Sequence, residues 1–313
     1  MKILCFTPWK NTWISYWTQY IESRGHEVDW YIKEKIYEGE LKKVIQNYDK
    51  LLTHWADKYA IILSDPEINT KPLYVIIRSY EIFSAEGWSD LGVINWKNVK
   101  KTFMLNEAHY HPFSCRVQGV KPVFIKNGVD LEEWQLNDIT RCRDKIAWIC
   151  DVNEKKGVEL VVQAISELTK INPDITLEHI GRNQDIRRWY YLEQVMPHLN
   201  TKWYNVGFKN DHNFVKDFLA DKKFIISTSI AEGNPMNIIE AMATGVIPLV
   251  HNWPGAEIQF PKECIWTTFD QLRDIYQKLD QDTGTYARMR KWAEKHYDYR
   301  INYKPVIDAM EAE

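Results

Sequence analysis

Cysteine is scarce in this chain of 313 residues and follows no pattern. The five cysteines are scattered, and none of them forms a C-x-x-C pair: Cys5, Cys115, Cys142, Cys150 and Cys264. A disulfide framework or a zinc knuckle needs clustered cysteines, so this distribution favours reduced thiols in the cytoplasm.

Long hydrophobic runs and an excess of charge of one sign are also missing. No run of about 18 apolar residues occurs, and the apolar N-terminal stretch is too short for a signal peptide, which predicts a soluble protein without a transmembrane segment. The 40 Lys and Arg nearly balance the 43 Asp and Glu, for a net charge of −3. This balance does not provide the overall phosphate attraction of a strongly basic nucleic-acid-binding protein, but it does not exclude a local basic groove.

Aromatic residues are abundant, with 14 Trp, 17 Tyr and 11 Phe. Such side chains mostly fill cores, but flat rings also stack on sugars and bases. Ordinary apolar and charged fractions of 45% and 27% exclude a disordered or fibrous chain.

Short apolar runs alternate with helical segments in two series. The first series of strand candidates covers 2–8, 27–32, 49–54, 73–80, 101–106 and 122–127. The second covers 145–151, 174–181, 201–208, 222–229 and 246–251. Because strands separated by helices form parallel sheets covered on both faces, we predict an α/β protein with two doubly wound, Rossmann-like domains. Ligands are expected at the carboxyl ends of the strands, in a crevice between the domains.

The domain boundary is predicted near residues 128–142, where the polar stretch 130–144 is typical of a linker. The expected domains are 1–130 and 139–289. A helical C-terminal segment, 290–313, is expected to pack back on the first domain.

The most informative segment is FIISTSIAEGNPMNIIEAMATGVIPLV (224–250), in which a strand, a loop and a helix follow one another. Asn234 is a favoured N-cap and Pro235 suits the first helical position. A helix N-terminus presents free N–H groups and a partial positive charge, so it is a site for an anion such as a diphosphate. Glu232 and Glu240 bracket this site, and carboxylates accept hydrogen bonds from hydroxyls. Together these features suit a sugar nucleotide.

This segment resembles the E-x7-E element of the family-4 retaining glycosyltransferases, the glycosyl transferases group 1, which have the GT-B fold. Four other segments resemble that family in the same order: KPVFIKNGVDLEEW (121–134), IAWICDVNEKKGVELVVQAI (146–165), LEHIGRNQD (177–185) and YNVGFKND (204–211). Three more resemble its first strand, its G-H-E-V segment and its closing helices: MKILCFTPW, RGHEVDWYI (24–32) and HYDYRINYKPVIDAM (296–310). The resemblance spans nearly the whole chain and is weak between 34 and 120.

The resemblance implies a hexosyltransferase that uses a nucleotide diphosphate sugar, with UDP-sugars favoured, as co-substrate, and that needs no metal or other cofactor. It implies that Glu240 holds the ribose hydroxyls and that catalytic Glu232 meets hydroxyls of the transferred sugar. The loop and the first helical turn are expected to contact the sugar and the diphosphate, largely through backbone N–H groups: Gly233, Asn234, Pro235, Met236 and Asn237.

Lys156 matches the family's lysine that neutralises the departing diphosphate, where a fixed cation stabilises the growing charge. Asp151 occupies the place of the family's partner arginine. Arg182, directly after Gly181, is our candidate for a replacement cation. The nucleobase is expected near Val206, Gly207 and Phe208.

The first domain departs further from the family. Arg78, a third catalytic candidate, lies where the family usually has a histidine, and it could pair with an anionic acceptor or with the diphosphate. Four residues are predicted on the acceptor side: Trp9, His54, Glu81 and His109.

The stretch NEAHYH (106–111) allows a metal hypothesis based on Glu107, His109 and His111. An i, i+2 histidine pair suits a strand or loop, and no distant third ligand is evident, so we predict no metal site. The loop 8–13 lacks G-x-G-x-x-G, which argues against a dinucleotide-dependent enzyme.

The acceptor stays open among glycans, lipid-linked sugars, small metabolites, proteins and modified nucleobases. One alternative is transfer to hydroxymethylated DNA bases, since the first domain has several lysines: Lys42, Lys43, Lys97, Lys100 and Lys101. A second is a non-catalytic nucleotide-sugar-binding scaffold, suggested by Asp151 and Arg78. A sugar-nucleotide epimerase ranks last.

Overall fold

The structure of the protein, a computed structural model, describes residues 1–33, 35–138, 140, 143–199, 201–209 and 211–312. The chain divides into two compact units, here called unit 1 (Met1–Gly128 with Tyr299–Glu313) and unit 2 (Val129–Asp298). The C-terminal segment of unit 1 thus starts at Tyr299, later than the predicted 290. Part of the predicted linker, including Cys142, lies outside the described residues, as does one position of segment 204–211.

Unit 1 is built on a six-stranded parallel sheet with the order β2-β1-β3-β4-β5-β6. Its strands are β1 (Lys2–Thr7), β2 (Glu27–Ile32), β3 (Lys50–Thr53), β4 (Leu73–Ile77), β5 (Val99–Met104) and β6 (Val123–Phe124). Strand β4 is buried along its whole length, which is typical of a parallel strand with helices on both faces. The strand order reverses between β1 and β3, and doubly wound sheets bind ligands at such switch points.

The helices of unit 1 cover both faces of this sheet. They are α1 (Ile14–Ser23), α2 (Glu38–Ile45), α3 (Lys58–Leu63), α4 (Tyr80–Phe83), α5 (Ala85–Leu91), α6 (Tyr110–Arg116), α14 (Tyr299–Asn302) and α15 (Lys304–Glu311). Helix α1 buries Tyr16, Trp17, Tyr20 and Ile21, at the three- and four-residue spacing of one helical face. Gly25 follows this helix with a φ of 77°, which a glycine adopts without steric cost.

Unit 2 is built on a second six-stranded parallel sheet with the order β12-β11-β10-β7-β8-β9. Its strands are β7 (Arg143–Ile149), β8 (Thr176–Ile180), β9 (Lys202–Gly207), β10 (Lys222–Ser227), β11 (Ile247–His251) and β12 (Ile265–Trp266). Counted within the unit, this is the 3-2-1-4-5-6 order of dinucleotide-binding folds, with its switch point between β7 and β10.

The helices of unit 2 are α7 (Val158–Thr169), α8 (Ile186–Val195), α9 (His212–Leu219), α10 (Met236–Ala243), α11 (Ala256–Gln259), α12 (Phe269–Gln281) and α13 (Thr285–His296). Helix α7 buries an apolar stripe that includes Val158, Val161, Ile165 and Leu168. Helix α10 is buried from Ile238 to Ala243, whereas its first two residues, Met236 and Asn237, are partly exposed.

The predicted fold class is confirmed: each unit is a doubly wound α/β sheet, and all eleven predicted strands are present. The two-residue strand β12 (Ile265–Trp266) was not predicted. Among the described residues, no helix has the length and apolar character needed to cross a membrane.

Candidate functional site

The loops after β7 and β10 meet at the switch point of unit 2. Gly157 has a φ of 60°, and a Cβ there would lie 2.0 Å from the Thr228 carbonyl oxygen, so only glycine fits. The Thr228 hydroxyl donates to the Lys156 carbonyl at 2.8 Å, and the Ile230 N–H donates to the Lys155 carbonyl at 2.8 Å. These contacts hold the two loops in one fixed arrangement.

Lys156 and Glu232 form a buried ion pair in these loops. Their side chains are only 15% and 6% exposed, and Ser229 donates a second hydrogen bond to Glu232 Oε1 at 2.8 Å. Burial favours the neutral form of each group, but the opposite charge outweighs it, so the pKa of Lys156 is raised and that of Glu232 is lowered. Both groups are therefore charged at neutral pH.

The start of α10 differs from the prediction by one residue. Pro235 is the N-cap residue, with extended backbone, and the helix begins at Met236. Asn234 as N-cap was wrong, because its side-chain amide donates instead to Gln259 Oε1 at 2.9 Å. Gln259 in turn donates to the Gly233 carbonyl at 2.7 Å. Gln259 thus fixes the loop through two hydrogen bonds. The sequence analysis did not identify Gln259, because it lies 25 positions from Asn234 and belongs to no motif.

The first turn of α10 is fixed to the sheet as well. Asn237 Nδ2 donates to the Ile149 carbonyl at the end of β7, at 2.5 Å. Met236 and Asn237 are partly exposed, whereas residues 231–235 are buried. The backbone N–H groups of this turn therefore belong to a rigid helix start of the kind that binds anions.

Glu240 lies one turn further along α10 and is also buried. Burial, together with the nearby negative charge of Glu133, raises the pKa of Glu240 to about 8. His212 Nε2 lies 3.9 Å from Glu240 Oε1, and its Nδ1 lies 3.4 Å from Glu133 Oε1. Sequence reasoning missed His212 and Glu133. The only available signal was that His212 follows the predicted strand 201–208, at the carboxyl edge of the sheet.

Arg182 is held by Asp151. The Asp151 carboxylate accepts hydrogen bonds from Arg182 Nε at 3.0 Å, from its Nη2 at 2.6 Å and from its backbone N–H at 2.9 Å. Gln184 Nε2 donates to the same carboxylate at 2.9 Å. The hydrogen bonds that Arg182 donates to the Asp151 side chain raise the pKa of Arg182, and the arginine charge is offset by that carboxylate.

The remaining predicted donor residues lie around Arg182. A Cβ on Gly181 would lie 1.7 Å from the Cys150 carbonyl oxygen, so β8 and the loop after β7 approach closely here. The Arg182 guanidinium lies 4.8 Å from the centre of the Phe208 ring. Val206 and Phe208 are exposed, and Gly207 between them has a φ of 79°. An exposed ring at a strand end can receive a flat base.

In unit 1, a pocket of about 190 Å³ lies at the switch point between β1 and β3. We call it the Trp9 pocket. Its walls include Trp9, Trp55, Asp57, Lys58, Tyr80 and Glu86. Trp9 was predicted to border the acceptor, and the structure places it on the wall of this pocket with 53% of its surface exposed.

Arg78 lies behind this wall, between two tryptophans. Its guanidinium is 4.7 Å from the Trp13 ring centre and 4.5 Å from that of Trp55, and its Nε donates to the His54 carbonyl at 2.8 Å. Burial lowers the pKa of Arg78 to about 10, partly offset by Glu81. The guanidinium is therefore still charged at neutral pH and is engaged in packing.

His54 and Glu81 are fully buried and lie beneath the pocket wall. The His54 ring packs against Trp13, Trp17 and Trp30 at centroid distances of 4.8–4.9 Å, and burial and the Arg78 charge lower its pKa well below the usual value. Glu81 accepts hydrogen bonds from the backbone N–H groups of Ala56 at 2.8 Å and Arg78 at 2.9 Å. It thereby ties the loops after β3 and β4 together.

His109 is separated from this group. It is buried after β5, with its Nε2 3.3 Å from Asn106 Nδ2 and its ring 5.0 Å from that of Phe83. In the described part of the chain, no group of three or more His, Cys, Asp or Glu side chains is arranged to hold a metal ion.

The family model described as "Glycosyl transferases group 1" matches residues 143–262 of this chain. The match lies within unit 2 and includes the loops of Lys156, Arg182 and Glu232. No match was found among curated protein sequences.

Several solved structures are similar over the whole chain. The Anabaena protein HepE in complex with UDP and glucose has a TM-score of 0.80 at 15% identity, with 100% of both chains covered. The sucrose-phosphate synthase of Thermosynechococcus elongatus has a TM-score of 0.77 at 12% identity, covering 100% of this chain and 99% of that one. A glycosyltransferase from Rickettsia africae has a TM-score of 0.75 at 14% identity, covering 99% and 98%. At such identities the likeness shows the fold, which is GT-B.

Proposed function

We propose that this protein is a retaining glycosyltransferase that moves a sugar from a nucleotide diphosphate sugar to an acceptor hydroxyl. The observation that carries the proposal is the arrangement at the switch point of unit 2. A half-buried lysine, two buried carboxylates and the start of α10 occupy the edge where this strand order binds nucleotides.

Each group of this site has a task in donor binding. The start of α10 and Lys156 supply positive charge for the diphosphate, and Glu240 accepts hydrogen bonds from the ribose hydroxyls. Glu232 accepts hydrogen bonds from hydroxyls of the transferred sugar. Because Glu232 and Lys156 are already charged and fixed, they need no rearrangement of protonation when the donor binds.

In the reaction, the bond between the anomeric carbon and the diphosphate oxygen breaks, and a bond from that carbon to the acceptor oxygen forms on the same face. The proton of the acceptor hydroxyl goes to the departing phosphate oxygen, so the products are the glycoside and the nucleoside diphosphate. Lys156 stabilises the charge that grows on the leaving phosphate. In this scheme the protein's own cations neutralise the diphosphate, and transfer is expected to proceed in the presence of a metal chelator.

A UDP-sugar is the proposed donor. Solved structures of HepE contain UDP or UDP-glucose, which supports this choice. The exposed Phe208 ring beside the backbone of Val206 and Gly207 offers a surface for the base. A cytoplasmic location is also proposed, since the four described cysteines are free thiols.

The test is sugar transfer from UDP-glucose and related UDP-sugars, followed as release of UDP in the presence of a chelator. The wild-type protein should release UDP slowly by hydrolysis and faster with a suitable acceptor. A Lys156→Met variant should do neither. Equal release by the wild-type and variant proteins would contradict the proposal.

A nucleotide-sugar-binding scaffold is the second candidate, and the Asp151–Arg182 pair favours it. Asp151 removes the free charge of the cation that could assist Lys156. A scaffold would bind the donor with normal affinity but release no UDP by hydrolysis or by transfer, which separates the two functions in the same assay.

A further inference from the structure

The Trp9 pocket has the position of a ligand site, and the proposed donor site in unit 2 does not use it. It lies at the carboxyl ends of β1 and β3, where the strand order of unit 1 reverses. Its volume of about 190 Å³ is below the roughly 300–1,000 Å³ of sites that enclose a whole drug-sized ligand. It therefore suits one ring of a larger molecule.

The aromatic wall of the pocket is held in place from behind. Trp9 and Trp55 meet edge to face with centroids 5.8 Å apart, and the Arg78 guanidinium lies against Trp55. The residues on both sides of Trp55 are fixed, since the His54 carbonyl accepts from Arg78 and the Ala56 N–H donates to Glu81. Trp9 thus offers a half-exposed, preorganised ring surface.

The charged side chains that line the pocket are of both signs. Among the described residues, they are Lys33, Asp57, Lys58, Glu86 and Asp90. Lys33 is paired with Glu40, and Lys58 Nζ lies 3.6 Å from Glu86 Oε1. Three carboxylates against two paired ammonium groups disfavour a phosphate or a carboxylate ligand.

The polar groups suit hydroxyls instead. Tyr80 donates to Glu86 Oε2 at 2.8 Å, and Glu86 Oε1 lies 3.6 Å from Lys58 Nζ. Asp57 Oδ1 accepts from the Tyr59 N–H at 3.0 Å. Carboxylate and phenol oxygens accept more than one hydrogen bond, so these groups can also accept hydrogen bonds from the hydroxyls of a ligand. Burial raises the pKa of Asp57 to about 7, so this carboxyl is present in both forms at neutral pH and can donate or accept a hydrogen bond.

We propose that the Trp9 pocket binds one ring of a neutral sugar acceptor, with the Trp9 ring against its apolar face and Asp57 and Glu86 on its hydroxyls. This inference rests on the proposed function, since it names the acceptor class of that reaction. It also weighs against DNA as acceptor, because a nucleic acid would bring phosphates next to these carboxylates.

The test is binding of the full chain to an array of neutral and acidic glycans, with calorimetry on the best neutral and acidic members and on a duplex containing 5-hydroxymethylcytosine. Neutral glycans should bind best. The Trp9→Ala variant should weaken that binding by about ten-fold, and Trp9→Phe should restore most of it. Phe83→Ala is the matched control, because Phe83 is 48% exposed in the same unit but outside the pocket.

UDP binding, measured on the same samples, separates the two claims. Unchanged UDP affinity in all variants, with sugar binding lost only in Trp9→Ala, supports the inference. Preference for acidic glycans or DNA, no binding to any neutral glycan, or wild-type sugar binding in Trp9→Ala overturns it. Absence of UDP binding in the wild-type protein overturns the proposed function instead, while the glycan results still decide the role of the pocket.

Discussion

The carboxyl edges of the two sheets use different chemistry on a common topology. In unit 2, the edge carries ionisable groups with little solvent exposure: the charged Lys156–Glu232 pair, and Glu240, whose raised pKa of about 8 keeps it mostly protonated at pH 7. In unit 1, it carries tryptophan rings, and its arginine and histidine, Arg78 and His54, are packed among them. Two sheets of the same doubly wound type can thus present one edge suited to a charged ligand and another suited to a ring with hydroxyls.

The two edges also differ in the role of their buried carboxylates. Glu232 and Glu81 are both buried carboxylates. Glu232, in the loop before α10, is paired with Lys156. Glu81 instead accepts hydrogen bonds from two backbone N–H groups and joins two loops. Substitution of the first should affect ligand binding and chemistry, and substitution of the second should affect stability.

The largest effect is expected for Lys156→Met. Loss of the fixed cation at the leaving phosphate should lower kcat by about 100- to 1,000-fold. It also leaves Glu232 buried without its partner, which should cost roughly 3–5 kcal/mol of unfolding free energy. Steady-state kinetics and chemical denaturation measure the two effects.

The double variant Lys156→Met with Glu232→Gln is the control for this prediction. Removing both charges should recover much of the stability but none of the activity. Recovery of activity in the double variant would show that the ion pair has only a structural role.

The next effect is expected for Glu240→Gln, which keeps the shape of the side chain. Above pH 8, where Glu240 is mostly ionised, loss of its charged hydrogen bonds to the ribose should weaken donor binding by about 10- to 100-fold, equivalent to roughly 1.5–3 kcal/mol. In the wild-type protein, affinity should rise as the pH increases through about 8, where the Glu240 carboxyl loses its proton. The variant should show a flat profile over that range in calorimetric titrations.

The same carboxyl affects stability with the opposite dependence on pH. Because the folded pKa of Glu240 is raised above the usual 4.5, the native state binds the proton more tightly than the unfolded chain. The free energy of unfolding should therefore fall, relative to Glu240→Gln, as the pH rises from below 4.5 through about 8. If the free energies of unfolding of the wild-type protein and Glu240→Gln changed equally with pH, the raised pKa of Glu240 would be contradicted.

A third prediction concerns Glu81→Ala in unit 1. The substitution leaves the backbone N–H groups of Ala56 and Arg78 without their buried acceptor. Each unsatisfied group should lower the free energy of unfolding by about 1–3 kcal/mol. Thermal unfolding should show the loss of stability, while UDP affinity at a temperature where the variant is folded should match the wild type. A selective loss of UDP binding would contradict the division of roles between the two edges.

The smallest effect is expected for Asp151→Asn. It removes the charge that offsets Arg182, so UDP should bind a few-fold more tightly, as is usual for a partly exposed charge. Arg182→Ala should change the affinity of the wild-type background little, but should cancel the gain in the Asp151→Asn background. A large loss in Arg182→Ala alone would show that Asp151 does not neutralise this cation.

Much of the fold could be predicted from local patterns. Strand candidates of six to eight residues between helical segments identified the strands, and buried helix faces such as that of α7 have a clear 3.6-residue period. The order of strands, and thus the switch points, depends on long-range pairing that periodicity does not contain.

The site was predictable only where a motif marks it. The resemblance pointed to Lys156, Glu232 and Glu240, and the structure joins the first two directly. The Asp151–Arg182 pair spans 31 positions and the Asn234–Gln259 contact spans 25, so neither follows from local sequence. In unit 1, His54 looked like a strand-end functional histidine, and its burial depends on tryptophans from two other elements.

The central claim is a nucleotide-sugar site at the switch point of unit 2, and calorimetry tests it most directly. UDP-, GDP-, ADP- and TDP-sugars would be titrated, without metal, into the wild-type protein, Glu240→Gln and Glu81→Ala. At a pH above about 8, where Glu240 is ionised, we expect one sugar nucleotide, UDP-linked, to bind to the wild-type and Glu81→Ala proteins, and to bind at least ten-fold more weakly to Glu240→Gln. No binding of any sugar nucleotide to the wild-type protein, or equal binding to Glu240→Gln, would contradict it.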